Sequence, residues 1–173
     1  MKRYVGVAAI LLATSAGAAV LVDRAEPPDL RSQIETRMRD ALEQPDLARH
    51  NHGDHAVQVA DPTVVCGVRL YGYEPSEVTE IAQVRTVYGF HLCGVAEPRT
   101  PWDVAVKLAG PVILDLSTDP AGIQVVEATE KVRYVDRLRE MFPPKYAKLA
   151  RTEALTPAEN TDLRSRYDDA AGL

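Results

Sequence analysis

The stretch Thr63–Tyr73, TVVCGVRLYGY, decides how this chain folds. Six of its eleven residues are β-branched or aromatic, which suits a pleated surface better than a helix. Asp61-Pro62 precedes it and Glu74-Pro75-Ser76 follows, the breakers expected at strand ends. Alternation puts Cys66 on one face with Val64, Val68 and Leu70. A second run of the same kind, QVRTVYGFHLCGV at 83–95, carries the other cysteine, Cys93. There Val87, Gly89 and His91 share the Cys93 face, while Tyr88, Phe90 and Leu92 point the opposite way. Both faces of this run are apolar. A shift of register by one residue, or a bulge, decides which of them meets the core, and the pattern leaves that open.

Outward from these two runs come shorter ones. PVILDL (111–116) and IQVVEA (123–128) read as strands, and Val57 and Val59 alternate with polar neighbours. Helical periods flank the strands. Leu30, Ile34, Met38, Ala41 and Leu42 form one stripe, with Asp29 or Ser32 as cap and Gln44-Pro45 as stop. Ser32 with Glu35 also fits a capping box. Val132, Val135, Leu138 and Phe142 make a second stripe, which Pro143-Pro144 ends; Tyr146–Leu149 adds a turn. In the tail LTPAENTDLRSRYDDAAGL, Thr156 caps and Pro157 opens a helix. Its larger apolar side chains after Leu155 are few, so it reads as a solvated helix or frayed tail. The order predicts an α+β fold: an antiparallel sheet of four to five strands with helices packed on one face.

The chain opens MKRYVGVAAILLATSAGAAVLVDRAEPP. Lys2 and Arg3 precede an uncharged run from Val5 to Val22, which reads as a signal peptide or signal anchor. Ala16-Gly17-Ala18 offers a cleavage site, yet the apolar run continues to Val22, which favours an uncleaved anchor. Positive charge before the run leaves the remainder exported. The expected layout is a signal or anchor at 1–25, an amphipathic helix and loop at 26–55, an α+β core at 56–150 and a C-terminal helix or tail at 151–173. The expected location is the cell membrane with the domain outside, or the secreted space. Two cysteines in an exported chain predict one disulfide, Cys66–Cys93. The net charge of −5, with both signs interspersed, excludes a nucleic-acid footprint.

Chemistry concentrates in one loop. His50-Asn51-His52-Gly53-Asp54-His55 holds three of the four histidines and follows a helix stop. Its H-x-H-x-D-H spacing resembles the motif of the metallo-β-lactamase family. That resemblance implies one zinc on His50 and His52, Asp54 and His55 binding a second or orienting the water, and a zinc hydrolase. The pattern departs from the family elsewhere: no buried strand leads into the motif, the chain is short, and His91 is the only further histidine. A simpler reading is a loop chelate, with His50, His52, Asp54 and His55 on one zinc or other divalent ion. The plainest reading is a polar loop with solvated histidines. His91 reads as a structural strand histidine, Trp102 as a side chain packed under a turn, and Tyr71, Tyr73 and Tyr88 as sheet packing. No G-x-S-x-G, free cysteine or glycine-rich phosphate loop supports an enzyme.

The succession of a cysteine strand, VRTVYGFHLC, PVILDL and a helix ending in FPP resembles a family of small exported or membrane-anchored proteins of high-GC actinobacteria. The resemblance implies a helix-plus-sheet domain of cystatin-like or NTF2-like layout and carries no activity with it. The functional expectation is a non-enzymatic extracytoplasmic module. It would be attached to the cytoplasmic membrane by its N-terminal segment and bind a protein, peptide or envelope ligand through a curved sheet.

Overall fold

A computed structural model describes residues 28–44 and 63–173. It is an α+β domain with a four-stranded sheet: β1 (Thr63–Glu74), β2 (Thr86–Ala96), β3 (Lys107–Asp115) and β4 (Gly122–Val125). The strands form an antiparallel meander in sequence order. Among the described residues four α-helices accompany it: α1 (Leu30–Leu42), α2 (Tyr134–Met141), α3 (Pro144–Thr152) and α4 (Pro157–Ala171). Among the described residues no helix is long and apolar enough to cross a membrane. The apolar run at 5–22 and the strand-like Val57 and Val59 lie outside the described residues.

Helices cover both faces of the sheet, not one as the element order suggests. The first face meets α1, whose Ile34, Met38, Ala41 and Leu42 pack on Cys66, Val68, Leu70, Val87, Val112 and Leu114. Asp29 is the cap, its carboxylate accepting from the Ser32 amide at 2.9 Å. The opposite face meets α2, α3 and α4. Tyr71, Tyr88 and Ile113 pack there against Leu138, Phe142, Tyr146 and Ala147, and Val65 and Ala96 against Leu163, Tyr167 and Ala171.

This arrangement answers the question of faces left by the alternation. Cys66 stands opposite Cys93 in direct register. Val87 therefore serves the α1 core while Tyr88 serves the other. A bulge between Leu70 and Gly72 then adds one residue to β1, so Tyr71 and Gly72 both turn toward α3. Gly72 is required there, because a Cβ would stand 2.3 Å from the Tyr146 ring.

Two C-terminal elements exceed the sequence reading. Pro143-Pro144 ends α2 but also opens α3, because proline is favoured at a first helical position. The terminal segment is a packed helix, neither solvated nor frayed. Thr156 and Glu159 form a reciprocal capping box at its start. Leu163, Tyr167 and Ala171 recur every four residues, and one narrow stripe suffices to seat it.

Candidate functional site

The disulfide forms between facing cysteines whose Cα atoms are 4.0 Å apart. Closing a loop of this length stabilises by about 3–4 kcal/mol in the chain-entropy model. The short Cα separation marks a non-hydrogen-bonded pair, so the Cys66 amide and carbonyl point away from β2 toward the outer edge of β1. Two side chains meet them there. The Cys66 amide donates to Glu43 Oε1 at 2.8 Å, and Arg166 Nη2 donates to the Cys66 carbonyl. Arg166 Nη1 also lies 3.1 Å from Glu43 Oε1. The Glu43–Arg166 pair thus occupies the place of a neighbouring strand, which blunts an edge otherwise open to pairing.

His91 lies on the α1 face and is 2 % exposed. Its Nδ1 is 2.8 Å from the Gly110 carbonyl oxygen. A carbonyl only accepts, so the neutral ring carries its proton on Nδ1. Burial holds the pKa below the usual imidazole value, and the bond to Gly110 opposes that shift only in part. This is a structural histidine. Trp102 packs edge-on against Tyr167, with ring centres 5.0 Å apart. Tyr71 and Tyr88 are buried, and Tyr88 stacks on Tyr146 at 4.7 Å. None of these aromatics lines an open groove on the sheet, because helices occupy both faces.

His50, His52, Asp54 and His55 lie outside the described residues. Among the described residues no group of three or more His, Cys, Asp or Glu side chains is placed to hold a metal ion.

β3 has a free edge ahead of its pairing with β4. By the alternation of the ladder, Lys107, Ala109 and Pro111 aim their backbone groups outward, where β4 pairs only from Val112 on. Pro111 has no N–H to offer. The Lys107 ammonium is held by the Trp102 and Ala105 carbonyls, over the Trp102 ring. Val104, Val106 and Leu108 are exposed beside it. The edge is short and blunted by a lysine and a proline, so it makes a poor template for a partner strand.

A cleft of about 330 Å³ between α2 and α3 offers more chemistry. Pro144 supplies exposed apolar surface over the buried Phe142 and Ala147; Arg139, Lys148 and Arg151 supply three cations. Helical spacing aligns these groups: Pro144, Ala147, Lys148 and Arg151 are three or four residues apart on α3. Leu138, Phe142 and Tyr146 hold the two helices on the sheet. Asp136 lies 3.6 Å from Arg139. No carboxylate among the described residues comes within ion-pair distance of Lys148 or Arg151. From Met141 to Thr152 the sequence contains no acidic residue at all. The charges of 131–140 read as a solvated helix face; the signal that a site follows is the acid-free stretch beyond Pro143-Pro144.

No family model, curated protein or solved structure matches this chain. The geometry of its surfaces therefore carries the functional reading.

Proposed function

We propose that this protein is a non-enzymatic extracytoplasmic binding module, membrane-anchored or secreted, that takes an anionic ligand in the α2–α3 cleft. The observation that carries this reading is the pair Lys148 and Arg151, which face the cleft beside Arg139 without a carboxylate partner among the described residues. A guanidinium offers paired donors that match a carboxylate or phosphate, and a lysine adds a compact charge. The apolar floor of Phe142, Pro144 and Ala147 suits a ligand whose anionic group sits on a small uncharged stem. Binding through an open sheet face is replaced by this reading, since α1 covers one face and α2–α4 the other.

The test is hydrogen exchange on the full chain in a zwitterionic detergent, titrated with glycerol 3-phosphate or with glycerol. Slower exchange of the α2–α3 amides with the phosphate alone, lost in Lys148→Gln/Arg151→Gln, is the expected result. No change with either compound, or the same change with both, would refute the reading.

A further inference from the structure

Charge is distributed unevenly around this cleft. Residues 131–151 hold seven Lys and Arg against two carboxylates, in a chain whose net charge is −5. With His neutral, the rest of the chain carries −10. The two acids, Asp136 and Glu140, already pair with Arg133, Arg137 and Arg139 on α2. Of the four cations left over, Lys131 precedes α2, and Lys145, Lys148 and Arg151 are exposed on α3. Such a molecule presents α2–α3 to a negative surface, while its remaining charge is repelled from that surface.

Location adds a second argument. The chain enters α1 from residues 1–27, and Arg31 in the first turn donates to the Leu70 carbonyl at 2.6 Å. Tyr146 in the first turn of α3 donates to the Tyr73 carbonyl at 3.3 Å, with its ring against Gly72. The start of α1 and the start of α3 thus reach the same end of β1, within four residues of one another along the strand. Asp23–Pro27, the five residues between the apolar run and the described chain, span at most about 17 Å. An α-helix as short as α3 is about 13 Å long. A chain held by its N-terminal segment therefore keeps the cleft within a few tens of ångströms of the bilayer, close enough for docking onto it.

We infer that the α2–α3 cleft docks onto the anionic phospholipid headgroups of the membrane that carries the chain. Arg139, Lys148 and Arg151 would meet headgroup phosphates, and Pro144 the uncharged atoms beneath them. This rests on the reading that the cleft is the ligand site and that residues 1–25 hold the chain at the membrane. A basic patch at a membrane gains about fivefold in affinity per Lys or Arg near the surface and weakens with salt.

The experiment uses the full chain in vesicles, so that insertion of the N-terminal segment is common to every arm. Hydrogen exchange over Tyr134–Thr152 is compared in phosphatidylglycerol/phosphatidylcholine vesicles and in phosphatidylcholine alone. The expected result is slower exchange only with phosphatidylglycerol, reversed by high salt and lost in Arg139→Gln/Lys148→Gln/Arg151→Gln, with about a fivefold loss per charge removed. Equal exchange in both vesicles would overturn docking, as would protection that survives the triple substitution. Protection by glycerol 3-phosphate without protection by phosphatidylglycerol would also overturn it, yet leave the anionic cleft standing. Protection by neither would remove both. Protection by an acidic peptide alone would likewise sink the membrane assignment.

Discussion

The two faces of the sheet are closed by different means. On one, a single helix lays a regular stripe over β-branched strand residues, beside a disulfide and one buried histidine. On the other, α2, α3 and α4 fit leucine and aromatic side chains against positions where glycine leaves room. A Cβ at Gly67 would stand 2.6 Å from Leu155 and 3.1 Å from Leu163, and one at Gly94 would stand 2.6 Å from Trp102. The α1 face rests mostly on aliphatic contacts of one kind, with Met38 seated over Gly89 as its one tight fit of that sort. The helical face depends on a few large residues, each filling a site of its own shape.

Removing one of those residues should have the largest effect. Tyr167 is fully buried; its ring meets Trp102, and its hydroxyl donates to the Thr100 carbonyl at 2.9 Å. Tyr167→Ala should cost about 3–5 kcal/mol, read as a fall in the urea midpoint. Ile34→Val on the α1 face should cost only about 1 kcal/mol, as expected for one deleted methylene. A loss from Tyr167→Ala no larger than that from Ile34→Val would show that Tyr167 does not fill a site of its own shape.

This contrast explains how much the sequence discloses. The α1 stripe, the two cysteine strands and their disulfide are visible, because each rests on a repeated period or a residue count. The helical face is obscure for three physical reasons. Pro143-Pro144 signals a stop and a start in the same two letters. The seat of α4 rests on Leu163, Tyr167 and Ala171, too few for a period to stand out against its charges. Gly67, Gly72 and Gly94 look like weak strand positions until the side chains filling their space are known. The cleft is obscure for a related reason: Arg139 and Arg151 belong to different helices, and only the α2–α3 turn brings them together. His50–His55 had the clearest local pattern and lie outside the described residues.

The two faces are joined at the edge of β1, where Arg166 of α4 reaches Glu43 at the end of α1. Both side chains are about two-thirds or more covered, and each also bonds a backbone group of Cys66. A double-mutant cycle with Glu43→Gln and Arg166→Gln should return a coupling of about 1–2 kcal/mol. A coupling near zero would mean that the helices on opposite faces are held to the edge independently.

The smallest effect, and the most specific to the α1 face, concerns His91. In the unfolded chain its imidazole titrates near 6.5; in the fold, burial lowers that value. Between the two values the unfolded chain binds more protons than the folded one, so acid favours unfolding. The contribution of a neutral His91 is therefore complete above about pH 6.5 and is lost as pH falls from there through the folded value. One proton sets the limit, a slope of at most about 1.4 kcal/mol per pH unit. Urea midpoints measured from about pH 7.5 down to pH 5 should fall more steeply for the native chain than for His91→Phe. Comparing the slopes cancels the other histidines and the carboxylates, which titrate in both proteins. The variant loses a hydrogen bond to Gly110 at every pH, which lowers its whole curve without adding slope. Parallel curves would show that the ring accepts its proton in place, and that the α1 face opens to water near Gly110 more readily than its packing indicates.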